Sequence, residues 1–112
     1  MSKYDFEIPE DLSSLGSAAA HHIMATLTRE LGKAPDGGGC TAFYSPAEWL
    51  ARGEKYGRGA ELIVVHDGGD QASFFSYDYE NYGNIDKMNE TLEELGLYAE
   101  QCTCWYTAIY MI

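Results

Sequence analysis

Basic residues are nearly missing from the second half of this chain. Residues 61–112 hold ten carboxylates against one base, Lys87, for a formal charge of −9. Residues 1–60 carry eight acids and six bases, for −2, so the net −11 of the chain is concentrated at one end. Other absences narrow the field further. No run of eighteen apolar residues occurs, so nothing reads as a membrane-spanning helix. The opening MSKYDFEIPEDL is polar and acidic, which does not fit a signal peptide and points to a cytoplasmic protein. An anionic chain is repelled by bare nucleic acid and by anionic lipid, so neither is an expected direct partner. Cysteine is scarce: Cys40, Cys102 and Cys104, an odd number that suits reduced thiols rather than a disulfide framework. The spacing Cys102-x-Cys104 lacks the usual zinc pattern. His21 and His22, adjacent on a helix, point about 100° apart. No metal and no cofactor is therefore expected. The run Gly37–Gly39 has no following Lys and Ser/Thr, so it is not a phosphate loop.

What remains is globular. The chain has 112 residues and 46% hydrophobic composition, with nine Tyr, four Phe and two Trp. That is enough for one domain with a real core. The expectation is a single domain over 1–112, with residues 1–10 loosely ordered. Leu15, Ala19, Ile23, Leu27 and Leu31 recur at i+4, which predicts a helix from about Asp11 to Leu31. Asp11 or Ser13 can cap its start and Gly32 its end, and Gly16 weakens the first turn. Residues 40–44 suit a short strand. Ser45, Pro46 and Glu48 spell a helix start, with Ser45 as N-cap and Glu48 three residues on. Residues 61–66 and 72–79 read as a hairpin around Asp67, Gly68, Gly69 and Asp70. Asn84 caps a helix from Ile85 to Leu95, closed by Gly96. Leu97 to Ile112 reads as one long strand, rich in Thr, Tyr, Trp and Ile. The resulting order, α-β-α-β-β-α-β, predicts an α+β fold. Its antiparallel sheet would have about four strands, packed with two or three helices.

The acidic helix carries the clearest functional signal. Asp86, Glu90 and Glu94 stand at i, i+4 and i+8, with Glu93 beside them. Asp78 and Glu80 extend the row, and Lys87 relieves it through Glu90. Such like-charged neighbours each cost roughly a few tenths of a kcal/mol. One reading is a solvated face that confers solubility. The other is a row of carboxylates aimed at Lys and Arg of a partner. Tyr77, Tyr79 and Tyr82 fit the second reading, since aromatics beside carboxylates suit an Arg-rich surface. Aromatics of both parities, such as Phe74 with Phe75 and Trp105 with Tyr106, mean that both sheet faces are covered or that one exposes rings.

Two other readings compete. A small cysteine-dependent enzyme or ligand-binding domain would use Cys40 as nucleophile, His66 as base and Asp67 or Asp70 to orient the imidazole. No family signature surrounds Cys40, and a strand-start cysteine packed under the sheet is the simpler reading. A homodimer would pair the long final strand across two copies, since an uncovered edge invites pairing.

The size, the missing active site and the carboxylates at Asp78, Glu80, Asp86, Glu90, Glu93 and Glu94 carry a resemblance. In general character the chain resembles the small acidic proteins that phages and mobile elements use against host defence, anti-CRISPR and antirestriction proteins among them. That resemblance implies a non-enzymatic inhibitor, monomeric or homodimeric. It would mimic nucleic acid and block a basic, nucleic-acid-binding surface of a partner protein. The partner-binding residues would then be Asp78, Glu80, Asp86, Glu90, Glu93, Glu94, Tyr77, Tyr79 and Tyr82.

Overall fold

Residues 62–65, Leu-Ile-Val-Val, are buried without exception and organise the fold. In the computed structural model, which describes residues 6–112, they form strand β2 (Leu62–Val65). Strand β1 (Phe43–Tyr44) lies on one side of it and β4 (Tyr106–Met111) on the other. Beyond β4 comes β3 (Leu97–Gln101), giving a four-stranded sheet in the order β1-β2-β4-β3. All three pairings are antiparallel. The protein is thus a single α+β domain.

Because side chains alternate along a strand, a wholly buried strand needs cover on both faces. Leu62 and Val64 join Phe43, Leu97 and Ile109 in one core, under helices α1 (Ser14–Leu31) and α4 (Tyr82–Glu93). Ile63 and Val65 join Tyr106 and Ala108 in a second core, closed by Trp49 from α2 (Pro46–Ala51). Each buried aliphatic or aromatic side chain contributes about 1.5–3 kcal/mol of transfer free energy. Both faces of β2 are therefore covered.

The capping signals act where expected. Ser13 Oγ accepts from Gly16 N–H, and Gly32 ends α1 at φ 71°. Gly16 lies inside the first turn of the helix, where a Cβ would meet the Glu61 backbone carbonyl. Ser45 Oγ accepts from Glu48 N–H at 3.1 Å and donates to Asp11 Oδ2 at 2.7 Å. Helix α4 starts one turn earlier than expected, because the cap is Asn81, whose Oδ1 accepts from Asn84 N–H. The expectation of loose order over 1–10 lies outside the described residues for 1–5. From residue 6 the chain is anchored: Phe6 is buried edge-on against Phe43, 5.8 Å between ring centroids.

Two expectations are corrected. Residues 72–79 are not the second strand of a hairpin. Ala72–Phe75 is a short helix, α3, and Tyr77–Tyr79 is a 3₁₀ turn. The chain does turn at Asp67–Asp70, but buried Gln71 then donates to Val65 O at 2.9 Å. This side chain bridges the turn and holds the following segment under the sheet. Phe74 and Phe75 are both buried, which a helix pressed into a core allows on neighbouring residues. The second correction concerns 97–112, which is a hairpin of β3 and β4 rather than one strand. Cys102 N–H donates to Tyr106 O, and Thr103 Oγ1 accepts from Trp105 N–H. Those bonds turn the chain without Gly, Pro or Asn. The order is accordingly α-β-α-β-α-α-β-β, with the 3₁₀ turn between the last two helices. Of the long strand expected to pair across a homodimer, the β4 part is paired on both sides, whereas the β3 part lies at a sheet edge, as does β1.

Two glycine-rich loops interlock beside the turn. Asp36 N–H donates to Asp70 Oδ2 at 2.9 Å, and Asp70 N–H to Asp36 O at 2.7 Å. A Cβ on Gly38 would stand 2.7 Å from Gly68 O, and Gly38 also has φ 70°. Gly39, at φ 86°, has open space around it. Gly38→Ala should therefore cost more than the ~1–2 kcal/mol of left-handed strain that Gly39→Ala incurs. Urea unfolding of the two variants measures the difference.

Candidate functional site

The acidic and tyrosine-rich residues fall on one continuous stretch, from the 3₁₀ turn through α4. Ser76 Oγ accepts from Asp78 N–H and starts the turn. Tyr77 is tied to the end of β3, where its N–H donates to Gln101 Oε1 at 3.0 Å. The turn ends at Glu80, whose φ of 53° is the one positive value of a non-glycine among the described residues. A left-handed non-glycine costs about 1–2 kcal/mol. That local conformation swings the chain from the 3₁₀ turn into α4.

Tyr77, Tyr79 and Tyr82 are 51%, 54% and 57% exposed. Large rings normally avoid such exposure when a core can take them. Asp78, Glu80, Asp86, Glu90, Glu93 and Glu94 are exposed too. None of these six carboxylates has an ion pair or side-chain hydrogen bond among the described residues. Lys87 does not relieve the row through Glu90. Its Nζ bonds Glu30 Oε1 on α1 at 2.7 Å instead. That bond, aided by Arg29, holds the Glu30 carboxyl below its ordinary range. The one base of this half is thus spent across the helix pair.

Ile85, Met88 and Leu92 anchor α4 in the core. Its flank toward α1 is set by Thr91, whose hydroxyl lies 2.7 Å from that of Thr26 in a buried contact. Sequence reasoning missed this pairing, because two threonines on separate helices carry no local signal. It also missed the stacked pair Tyr98 and Tyr110, 5.6 Å between centroids, on the hairpin it did not foresee.

The cysteine–histidine alternative has a different geometry. Cys40 Sγ donates to Gly37 O at 2.8 Å and receives Gln71 Nε2 at 3.7 Å. His66 is 1% exposed, with Nε2 2.9 Å from Thr107 Oγ1 and its ring stacked on Phe75. Asp67 is exposed, and the Asp70 carboxylate is engaged with Asp36. A depression of about 380 Å³ beside Cys40 is lined by Tyr44, Arg52, Asp67 and Trp105. Arg52 stands over the Tyr44 and Trp49 rings at 5.1 and 4.6 Å. Cys102 is half-buried in the hairpin turn, where burial raises its thiol pKa, and Cys104 is exposed. His21 and His22 are exposed on α1. Among the described residues, no group of three or more His, Cys, Asp or Glu is placed to hold a metal ion. No helix of the described residues is long and apolar enough to cross a membrane.

Compared with known proteins, the chain matches no family model, no curated protein and no solved structure.

Burial pulls the His66 pKa from 6.5 down to about 4, against weaker opposing effects of its own backbone, Asp67 and Asp78. The folded state therefore binds fewer protons than the unfolded one between these values. The contribution of neutral His66 is fully present above pH 6.5 and is lost as pH falls toward 4. Applying the shift directly gives a loss of about 1 kcal/mol by pH 5.5 and about 3 kcal/mol by pH 4. Denaturant unfolding at those values measures it, and His66→Gln should flatten this part of the profile.

Proposed function

We propose that this protein is a non-enzymatic interaction protein whose acidic, tyrosine-bearing surface docks on a basic, nucleic-acid-binding surface of a partner protein and blocks it. An inhibitor of the anti-CRISPR or anti-defence kind would work in this way. The observation that carries the reading is the combination on one stretch of chain. Six carboxylates lack a counter-ion among the described residues, and three tyrosines among them are more than half exposed.

The division of labour follows from the physics. Unpaired carboxylates steer a cationic partner and set its register, while suppressing contact with other anions. Tyr77, Tyr79 and Tyr82 supply rigid contact area and faces on which guanidinium groups stack. The helical and 3₁₀ segments hold the carboxylates on a scaffold that need not order on binding, which limits the entropy cost.

The test is capture from a host lysate on the immobilised protein, at low and high salt, with the retained proteins identified by mass spectrometry. Nucleic-acid-binding proteins should be retained in dilute buffer and released as the Debye length falls from about 10 Å toward 3 Å. Glu90→Lys with Glu94→Lys should abolish retention and leave the fold as stable or more stable, since two like-charged neighbours are removed. Retention that ignores both salt and charge reversal would overturn the reading.

A further inference from the structure

Strand β3 has a free edge beside this surface. Ile112 N–H donates to Gly96 O, and Cys102 N–H to Tyr106 O. With the register Tyr98↔Tyr110 and Glu100↔Ala108, the backbone groups of even-numbered residues face β4. Those of Leu97, Ala99 and Gln101 therefore point away from the sheet, where no strand of the described residues lies. Leu97 is buried, whereas Ala99 and Gln101 are partly exposed, so the open stretch is Ala99 to Gln101.

The surroundings of that stretch are acidic and aromatic. Helix α4 packs over β3, and α1 over β2. Lys87 and Thr91 hold the α1 side of α4 through Glu30 and Thr26. At about 100° per residue, Tyr82, Asp86 and Glu93 fall on the opposite flank, on the side of the free edge. Glu100, on β3 itself, is exposed, and Tyr77 is bonded to Gln101 at the strand end.

We infer that the free edge of β3 takes an extended, Lys- or Arg-bearing segment of the partner as an added strand. This rests on the proposed function and names the form of the partner's contact. Main-chain bonds to Ala99 and Gln101 would align the segment. Basic side chains at alternate positions would share one face of the added strand, toward Asp86 and Glu93. A second copy of this chain is the wrong occupant, because it brings the same carboxylates and a net charge of −11 against themselves.

The probe is a capped peptide of alternating arginine and valine, with its glutamate–valine counterpart as control. Amide exchange of Ala99 and Gln101, followed by NMR in the intact protein, should slow about tenfold or more with the arginine peptide and not with the control. Ala99→Pro removes an N–H that no ladder bond uses and sits where an edge strand tolerates proline. It should weaken peptide binding about tenfold or more with the β3–β4 amides still protected. If that variant fails to fold, the exchange measurement on the unmodified protein decides. Unchanged exchange at Ala99 and Gln101 under saturating peptide overturns strand addition. So does equal protection by the glutamate peptide, or protection of the same amides by self-association without peptide. Lysate proteins lost on Glu90→Lys with Glu94→Lys but retained by Ala99→Pro would leave the proposed function standing and this inference overturned.

Discussion

Strand β2 can be buried on both faces only if two separate layers cover it, and most of the architecture follows from that requirement. Helices α1 and α4 supply one layer, while Trp49 and the hairpin aromatics supply the other. The second layer is thin. It consists largely of rings: Trp49 lies 4.9 Å from Tyr44, 4.9 Å from Tyr106 and 5.7 Å from Trp105. Large flat side chains let a six-residue helix do the covering that a longer one would otherwise do. The first layer takes the two long helices, and their mutual packing is fixed by polar contacts at Thr26–Thr91 and Glu30–Lys87.

Those polar contacts have an electrostatic consequence. By turning Lys87 toward α1, the fold draws the one base of α4 away from its acidic face. The remaining carboxylates of that face are left to repel one another in solvent. The buried polar groups tell a different story. His66 and Gln71 sit against the turn and the sheet, where Gln71 spans two loops and His66 meets Thr107. Gln71 also bonds the Cys40 thiol, and His66 Nδ1 and Gln71 Oε1 are buried with no hydrogen-bond partner among the described residues.

The helices and their caps were legible because their signals are local. Leu15 through Leu31 keep helical spacing, and Ser13, Gly32 and Ser45 each satisfy backbone groups within a few residues. The candidate surface was legible as a list of residues for the same reason: charge and aromatic content are properties of composition. Its shape was not. The stretch 72–79 is rich in aromatics in a way that fits a strand, but it folds as a helix and a 3₁₀ turn, with Gln71 bridging back to Val65. The turn at 102–105 has no glycine or proline, so nothing in 97–112 marked where the chain reverses.

The sequence by itself determined the one-sided charge, the α+β class, the position of α1 and a strand within residues 61–66. These depend on side-chain type and spacing, which act over one or two turns of chain. The tertiary structure decided which faces those residues present. It placed β4 in the interior and β3 at the edge, paired Lys87 with Glu30 rather than Glu90, and left Tyr77, Tyr79 and Tyr82 outside both cores. Each of these outcomes depends on contacts between residues far apart in the chain, and local patterning carries no information about them.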